Sequence, residues 1–352
     1  MSQRTFIVGT RGSALALTQT GFVVEALQKA HTGLAIETRT IHTEGDRSAA
    51  SLSEIGGRGV FVIEIERALL AREIDIAVHS LKDLPAEETP GLAIAAVYQR
   101  EDPRDVLVTR TGDTLDRLPT GAVVGTGSPR RAAQIVAARP DLRIADIRGN
   151  VDTRLRKVEA GEYDATVLAA AGLARLGWLD RATQIFETVQ MLPAVGQGAL
   201  AVQTRADDAE AIAVVSAVDH EPTRAAVTAE RAFERRLGGG CHAAIAAYAV
   251  TLSTPPSVIL SSTELAAQDN APSRRTLVDE GKGFTPARGE PTAGRGETAP
   301  GRLHVRGLVG DASGALLRAE IEGNAADAES LGVDLAEHLI QEGAGAMLEA
   351  AG

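Results

Sequence analysis

The chain has 352 residues, 44% of them hydrophobic; it is too long for one ordinary core and has enough apolar material for two or three packed domains. Its formal net charge of −11 disfavours binding to nucleic acid or to an anionic membrane surface, because the field of the protein would repel both. No apolar run approaches the roughly 18 residues of a membrane span, and the first residues lack the pattern of an export signal, so we expect a cytoplasmic protein that does not bind a membrane.

The first half of the chain alternates between short apolar runs and helical patterns. Residues 5–10 form a β-type run, and residues 14–29 have helical apolar spacing with Ser13 as the N-cap. Further strands are predicted near 35–41, 74–79, 92–97, 105–109, 123–126, 142–146 and 165–169. Further helices are predicted near 59–71 and from Pro129 and Val151. Strands that alternate with helices predict parallel, doubly wound sheets.

Two polar stretches, residues 98–104 and 192–198, interrupt this alternation, and the second precedes another strand-like run at 199–203. We interpret both stretches as hinge strands that join two α/β domains. The chain completes the second domain before it returns to the first. The expected limits are 1–98 with 199–218 for the first domain and 104–192 for the second.

The last third of the chain has a different pattern. A helix ends near Leu237, strands follow near 244–251, 302–309 and 315–322, and a closing helix begins near Ala326. This order predicts a smaller α+β domain over residues 220–352. Residues 254–300 are rich in Pro, Gly, Ser, Thr and charge, so we expect them to be a disordered insertion in a hairpin.

Basic and hydroxyl side chains follow the predicted strands at the point where each strand ends. In open α/β sheets this edge binds ligands, and helix N-termini there favour anions. Each cation alone is more often a solvated surface charge, but their placement on one edge predicts a polyanionic ligand between the first two domains. The side chains are Arg11, Ser13, Lys82, Ser128, Arg130, Arg131, Arg148, Arg154 and Arg175.

Asp83 is a carboxylate at an edge that otherwise suits anions. An Asp before Leu-Pro is commonly a turn cap or a salt-bridge partner of a residue such as Lys82. In a cationic cleft an ionised Asp would also pair with a positive charge that develops on a substrate, and it could exchange a proton with a leaving amine. Both interpretations stay open on these residues alone.

Cys241, the one cysteine of the chain, follows three glycines at 238–240. A single thiol forms no internal disulfide and supplies no thiolate cluster. A lone Cys is most often a small buried hydrophobe, whereas three glycines let a bulky group approach the backbone. The second feature favours a covalently attached group.

Other candidate motifs have structural interpretations. His79, at the end of an apolar strand, is expected in the core, and His42 and His242 lack partners at metal-ligand spacing, so we predict no metal site. Residues 56–59, Gly-Gly-Arg-Gly, do not join a strand directly to a helix, and we interpret them as the hinge of a flexible lid.

Together these segments closely resemble the porphobilinogen deaminase (hydroxymethylbilane synthase) family of tetrapyrrole biosynthesis. Eight motifs in the family's order carry the resemblance, and they extend through nearly the whole chain. The motifs are residues 9–17, 56–61, 75–85, 100–105, 125–131, 148–155, 192–198 and 230–241. The fold that it implies is two domains like periplasmic binding proteins and a third, smaller domain.

The resemblance implies a transferase that joins four porphobilinogen molecules head to tail with loss of ammonia and then releases hydroxymethylbilane by hydrolysis. It implies that Cys241, in a loop at 238–243, carries a dipyrromethane cofactor through a thioether, and that Asp83 is the catalytic acid. The implied cofactor-binding residues are Lys82, Ser128, Arg130, Arg131, Arg154 and Gly149. The implied substrate-binding residues are Arg11, Ser13, Arg148, Arg175, Phe61 and Arg58. The resemblance also implies a monomer.

Three features depart from the family pattern: Arg58 replaces a usual lysine, Ala244 replaces a usual proline, and residues 254–300 are an insertion. Two other functions use the same residues. An anion-binding protein would explain the arginines but gives Asp83 and Cys241 no purpose. A thiol-dependent hydrolase or transferase would use Cys241 as a transient nucleophile, but the sequence identifies no general base for it.

Overall fold

The computed structural model describes residues 4–41, 62–238, 244–252 and 301–351. The strands are β1 Thr5–Arg11, β2 Ala35–Ile41, β3 Ile76–Ser80, β4 Leu92–Tyr98, β5 Asp105–Thr109, β6 Val123–Gly125, β7 Arg143–Ala145, β8 Ala165–Ala169, β9 Gln184–Ile185, β10 Leu200–Arg205, β11 Ala244–Leu252, β12 Arg302–Gly310 and β13 Leu316–Asn324. The α-helices are α1 Ala14–Ala30, α2 Ile63–Leu70, α3 Pro129–Ala138, α4 Val151–Glu159, α5 Ala170–Arg175, α6 Ala209–Val215, α7 Glu221–Leu237, α8 Ala328–Leu339 and α9 Gly345–Ala351.

Two five-stranded sheets form the first two domains. The first has the order β2-β1-β3-β10-β4, and the second has the order β7-β6-β8-β5-β9. Helix α1 packs on the first sheet through a buried face that includes Val23 and Leu27, and residues 76–79 of β3 are buried. This architecture confirms the expected α/β fold class, while the exact domain limits stay a prediction.

The expectation of wholly parallel sheets is wrong for two strands. β10 runs antiparallel to β3 and β4, and β5 runs antiparallel to β8 and β9. Both strands directly follow the hinge segments. A hinge segment leaves one sheet at the carboxyl edge of its strands and reaches the other sheet at the same edge. The strand that enters there therefore points against its parallel neighbours.

The third domain is an antiparallel sheet, β11-β12-β13, covered on one face by α7 and α8. Phe233 of α7 is fully buried in the core between them. Gly307 in β12 leaves the space for that ring, because a Cβ there would lie 2.5 Å from Phe233 Cε2. Helix α7 ends at Gly238, whose φ of 65° is the left-handed conformation that glycine adopts most easily.

A buried carboxylate joins the third domain to both hinge segments. Glu230 of α7 is fully buried and accepts hydrogen bonds from Arg100 Nη1 at 2.6 Å, from Gly196 N at 2.7 Å and from Ala249 N at 2.8 Å. Arg100 belongs to the first hinge segment, Gly196 to the second and Ala249 to β11. The third domain thus fixes the point where the first two domains meet. Among the described residues, no helix has the length and apolar character of a membrane span.

Candidate active site

A cleft of about 510 Å³ lies between the first two domains, at the carboxyl edge of their parallel strands. Every candidate site residue that the structure describes lines this cleft. These residues are Arg11, Ser13, Lys82, Asp83, Ser128, Arg130, Arg131, Arg148, Gly149, Arg154 and Arg175. Cys241, Phe61 and Arg58 lie outside the described residues, as do the motif at 56–59 and the insertion at 254–300.

The first domain contributes two short turns to the cleft. Ser13 caps α1 as predicted, with Oγ accepting a hydrogen bond from Ala16 N at 3.3 Å. Lys82 and Asp83 lie on a single 3₁₀ turn after β3, anchored by the buried side chain of Leu81. Gly196 of the second hinge segment packs on that turn so closely that a Cβ added at Gly196 would lie 2.1 Å from Leu81 Cδ2.

Asp83 is half-buried, and none of the hydrogen bonds between described residues ends on its carboxylate. The turn is closed by its backbone, since Leu84 N donates to Leu81 O at 3.1 Å. In the described part of the chain the carboxylate therefore caps no turn, contrary to one interpretation of the sequence. Its oxygens can accept a donor from a ligand in the cleft.

Lys82 lies among other cations. Burial lowers the pKa of Lys82 to about 8, with a further contribution from the charge of Arg131, while the charge of Asp83 opposes the shift. Its Nζ donates to Gln197 Oε1 at 3.4 Å. Lys82 is therefore still mainly an ammonium group at pH 7, and an anion bound in the cleft would stabilise this charged form further, because a nearby negative charge favours it.

Arg130 and Arg131, in the first turn of α3, share one buried counter-ion. Asp105 at the start of β5 accepts from Arg130 Nη1 and from Arg131 Nη2, both at 2.7 Å, and its side chain is fully buried. Burial alone would raise the pKa of Asp105, but the two guanidinium charges hold that pKa well below its usual range. Arg131 also donates to Val167 O at 2.9 Å, so the fold fixes this pair.

Gln197 is a cleft residue that the sequence prediction missed. It is fully buried, and its Nε2 donates to Asp105 Oδ1 at 3.0 Å and to Pro103 O at 2.7 Å, while its Oε1 accepts from Lys82. One amide thus connects the Lys82 turn of the first domain to the arginine pair of the second. Its position inside the 192–198 motif was the available signal, but we used that motif as a hinge and as part of the family resemblance without selecting Gln197.

The outer part of the second domain forms the lip of the cleft, which we define as residues 146–154. Arg148 Nε donates to Asp146 Oδ2 at 2.8 Å, and Arg154 Nε donates to Gly149 O at 2.8 Å. Gly149 has a φ of 112°, and a Cβ there would lie 2.5 Å from Thr153 Cγ2, so the turn requires glycine. Burial, followed by the charges of Arg131 and Arg148, lowers the pKa of Arg154 to about 10, and the guanidinium is still charged at neutral pH.

Arg175 closes the cleft near the second hinge segment. Its Nη2 donates to Gly198 O at 2.6 Å, and burial lowers its pKa. The same helix, α5, approaches α1 of the first domain, since a Cβ on Gly172 would lie 3.7 Å from Leu15 Cδ2. The two domains are therefore in contact across the cleft at this end.

His79 has the structural role expected from the sequence. It is buried, its Nε2 lies 3.1 Å from Gln203 Oε1, and burial lowers its pKa to about 4, so the ring is neutral near pH 7. Within the ranges that the structure describes, no group of three His, Cys, Asp or Glu side chains is arranged to hold a metal ion.

The charge of the cleft determines what it can bind. Seven of the described side chains that line it are cationic, whereas Asp83 and Asp152 are the two carboxylates among them. Guanidinium groups in a partly desolvated cleft bind carboxylates in paired hydrogen bonds. The arrangement therefore suits a ligand with several carboxylates. Of the two acids, Asp152 is paired with Arg156 at 3.5 Å, whereas Asp83 lies beside Lys82, where it can act on that ligand.

Family models match most of the chain. Residues 6–213 match the model described as "Porphobilinogen deaminase, dipyromethane cofactor binding domain", and residues 224–266 match "Porphobilinogen deaminase, C-terminal domain". Curated relatives named porphobilinogen deaminase include one from Roseiflexus sp. that is 42% identical, covering 98% of this chain and 99% of its own length. Another, from Brevibacillus brevis, is 53% identical, covering 69% of this chain and 79% of its own length.

Solved structures resemble the chain more distantly. The VFT2 domain of Bordetella pertussis BvgS has a TM-score of 0.37 and 16% identity, with 61% of this chain and 85% of that chain covered. A putative periplasmic sulfonate-binding protein, SsuA from Methylobacillus flagellatus, has a TM-score of 0.37 and 14% identity, with 65% and 67% covered.

Proposed function

The chain belongs to the porphobilinogen deaminase family, and from this premise we propose that it is a transferase of tetrapyrrole biosynthesis. It condenses four porphobilinogen molecules head to tail on a dipyrromethane primer held by Cys241, with loss of ammonia, and releases hydroxymethylbilane by hydrolysis. One observation carries the proposal: all eleven described candidate residues line a single cationic cleft.

The donor set of the cleft fits a dipyrromethane. Each pyrrole unit carries an acetate and a propionate, and the seven cations of the described lining can neutralise several such groups. When bound, the cofactor supplies the nucleophilic pyrrole carbon to which the first porphobilinogen is joined. The proposed cofactor side consists of Lys82, Ser128, Arg130, Arg131, Gly149 and Arg154.

Asp83 is the proposed catalytic acid. Its carboxyl group can accept a hydrogen bond from the pyrrole N–H of the substrate and donate a proton to the departing ammonia. The carboxylate that results can stabilise the positive charge that the substrate then develops. Burial lowers the pKa of Lys82 and the pKa of Arg154, and the Asp83 charge opposes both shifts, so this carboxylate is within electrostatic reach of both walls of the cleft.

Arg11, Arg148 and Arg175, with Ser13, form the proposed substrate side. Their side chains would bind the acetate and propionate of the incoming porphobilinogen and orient its reacting carbon toward the primer. Phe61 and Arg58 are assigned to the same side on the sequence alone.

The described chain that follows Cys241 supports its role as the attachment point. β11 begins at Ala244, which pairs with Gly310, and a Cβ on Gly310 would lie 3.2 Å from Ala133 Cβ in α3. This strand therefore begins beside the helix that carries Arg130 and Arg131. A thiolate is also suited to the attachment, since it adds readily to a carbon electrophile and the resulting thioether resists hydrolysis.

The mass of the intact purified protein tests the proposal. A deaminase carries a covalent adduct of two pyrrole units, whereas an anion-binding protein or a thiol hydrolase has the mass of the bare polypeptide. Cys241→Ser should lack the stable adduct, and a fully active Cys241→Ser protein would contradict the priming role. A wild-type protein without adduct that never consumes porphobilinogen, even after incubation with it, would refute the function itself.

We further propose that the protein acts as a monomer in the cytoplasm. All described candidate residues come from one chain, and no second copy is needed to complete the described part of the cleft. Light scattering on the purified protein tests this proposal, and a stable dimer at micromolar concentration would contradict it.

A further inference from the structure

Asp146 is a carboxylate at the lip, in direct contact with the proposed substrate residue Arg148. Arg148 Nε donates to Asp146 Oδ2 at 2.8 Å, and the two side chains are 29% and 50% exposed. In a cleft that suits the carboxylates of a ligand, one cation is thus already paired with a carboxylate of the chain itself.

The backbone around this pair is held in place. The Tyr163 hydroxyl donates to Asp146 O at 2.7 Å. Gly127 leaves room for the Asp146 side chain, because a Cβ there would lie 2.9 Å from Asp146 Oδ1. The contact is therefore built into the loops after β6 and β7.

The charge of Asp146 also reaches Arg154. Arg131 and Arg148 lower the pKa of Arg154 by repulsion, and Asp146 and Asp83 raise it. When the cleft holds no anion, Asp146 offsets part of the mutual repulsion of the lip arginines. A substrate carboxylate would perform the same task.

We propose that Asp146 is an internal counter-anion that positions Arg148 until a substrate carboxylate displaces it. The inference rests on the substrate role of Arg148 proposed above. The exchange replaces one ion pair by another without forming or breaking a covalent bond. Because Asp146 is half-exposed, water solvates it after displacement, so the exchange is reversible. Asp146 thereby weakens substrate binding and raises KM.

Steady-state kinetics with porphobilinogen test this role on the cofactor-loaded enzyme. Asp146→Asn should lower KM about two- to fivefold without raising kcat, the range expected when a partly exposed ion pair no longer competes. Asp152→Asn is the matched control. Asp152 is 53% exposed on the same lip, and its side chain lies 3.5 Å from Arg156 rather than on a proposed ligand residue, so its removal should change KM by less than half as much.

Asp146→Glu keeps the negative charge and should retain a KM close to that of the wild type. An unchanged or raised KM in Asp146→Asn would overturn the proposal. An equal fall in Asp146→Asn and Asp152→Asn would overturn it as well, because the loss of any negative charge at the lip would then suffice.

A binding measurement separates this inference from the proposed function. In protein with ¹⁵N-labelled arginine, the Nε–H signal of Arg148, assigned by its loss in Arg148→Lys, should shift on addition of sodium propionate. The shift should require a lower propionate concentration in Asp146→Asn than in the wild type, and equal concentrations would count against Asp146. This titration stays informative even if the wild type turns over no porphobilinogen.

Discussion

The second domain forms one wall of the cleft, and this wall holds its arginines differently at its deep end and at the lip. At the deep end, Arg130 and Arg131 share the fully buried carboxylate of Asp105, which Gln197 also contacts. At the lip, Arg148 meets Asp146, a carboxylate that is half-exposed. The chemical groups are the same, but their access to water differs.

This difference separates a permanent counter-ion from an exchangeable one. Removing one partner of a buried ion pair leaves an uncompensated buried charge and typically costs about 3–5 kcal/mol. An exposed pair contributes about 0–1 kcal/mol. The deep pair is therefore part of the fold, and it presents two fixed cations to the cleft. The lip pair can open at little cost, as a site that binds successive substrates requires.

The largest expected effect comes from Asp83, which faces the second domain's wall from the first domain. Asp83→Asn should keep the cofactor adduct, because the arginines of both ends are unchanged, while kcat should fall about 10²- to 10⁴-fold with the loss of the acid. Intact mass and steady-state rates measure the two properties. Asp207→Asn, an exposed site with the same charge change, is the control, and a wild-type rate in Asp83→Asn would refute the acid role.

Asp105→Asn tests the deep end. It should lower the free energy of unfolding by about 3–5 kcal/mol at pH 7, because two buried guanidinium groups lose their shared anion. Asp146→Asn should lower it by less than about 1 kcal/mol. Urea denaturation of both variants measures the contrast, and equal losses would abolish the distinction between the two ends.

The pH dependence of that contrast follows from the depressed pKa of Asp105. A carboxyl group with a lowered pKa in the folded state contributes stability above its unfolded pKa of about 3.9, and this contribution is lost as the pH falls toward the folded pKa. The stability difference between wild type and Asp105→Asn should therefore be constant near neutral pH and shrink below about pH 4. A difference that grows in acid would contradict this.

Arg148→Ala tests the lip as a substrate site. It should raise KM about tenfold and slow elongation, because each added pyrrole brings carboxylates that Arg148 would bind. Mass spectrometry after addition of a few equivalents of porphobilinogen should show partly elongated adducts. Arg156→Ala, on helix α4 directly after the lip and 69% exposed, should elongate normally. Normal elongation in Arg148→Ala would contradict the substrate-binding role of Arg148.

The smallest effect concerns Lys82, whose pKa is lowered to about 8. As the pH rises through about 8, Lys82 loses its charge in the folded protein, so the cleft holds one cation fewer and KM should rise. Lys82→Arg keeps its charge at these pH values and should flatten this limb of the KM profile. If KM rises through the same pH range in Lys82→Arg, then a group other than Lys82 is titrating.

The local elements were predictable because their signals are local. The cap at Ser13, the Pro129 start of α3 and the Val151 start of α4 occur where the sequence placed them. The short strand β9 was missed, since two residues carry no readable periodicity. The direction of β5 and β10 was also missed, because it depends on which sheet edge the hinge segments reach.

The partners of the charged residues were less predictable than the residues themselves. The sequence predicted that the basic and hydroxyl groups after successive strands lie at one edge of the sheets, and those that the structure describes do line one cleft. Asp105, Gln197 and Asp146 were not selected, because each acquires its role from a neighbour that is distant in sequence or on the other side of a turn.

The sequence by itself determined the family, the order of strands and helices and the edge on which the charges gather, because these depend on residue type, spacing and motif order. The tertiary structure decided which cations are held by a buried anion and which by an exposed one. Burial determines the cost of leaving a charge unpaired, and burial is a property of the packed domains rather than of any segment of the chain.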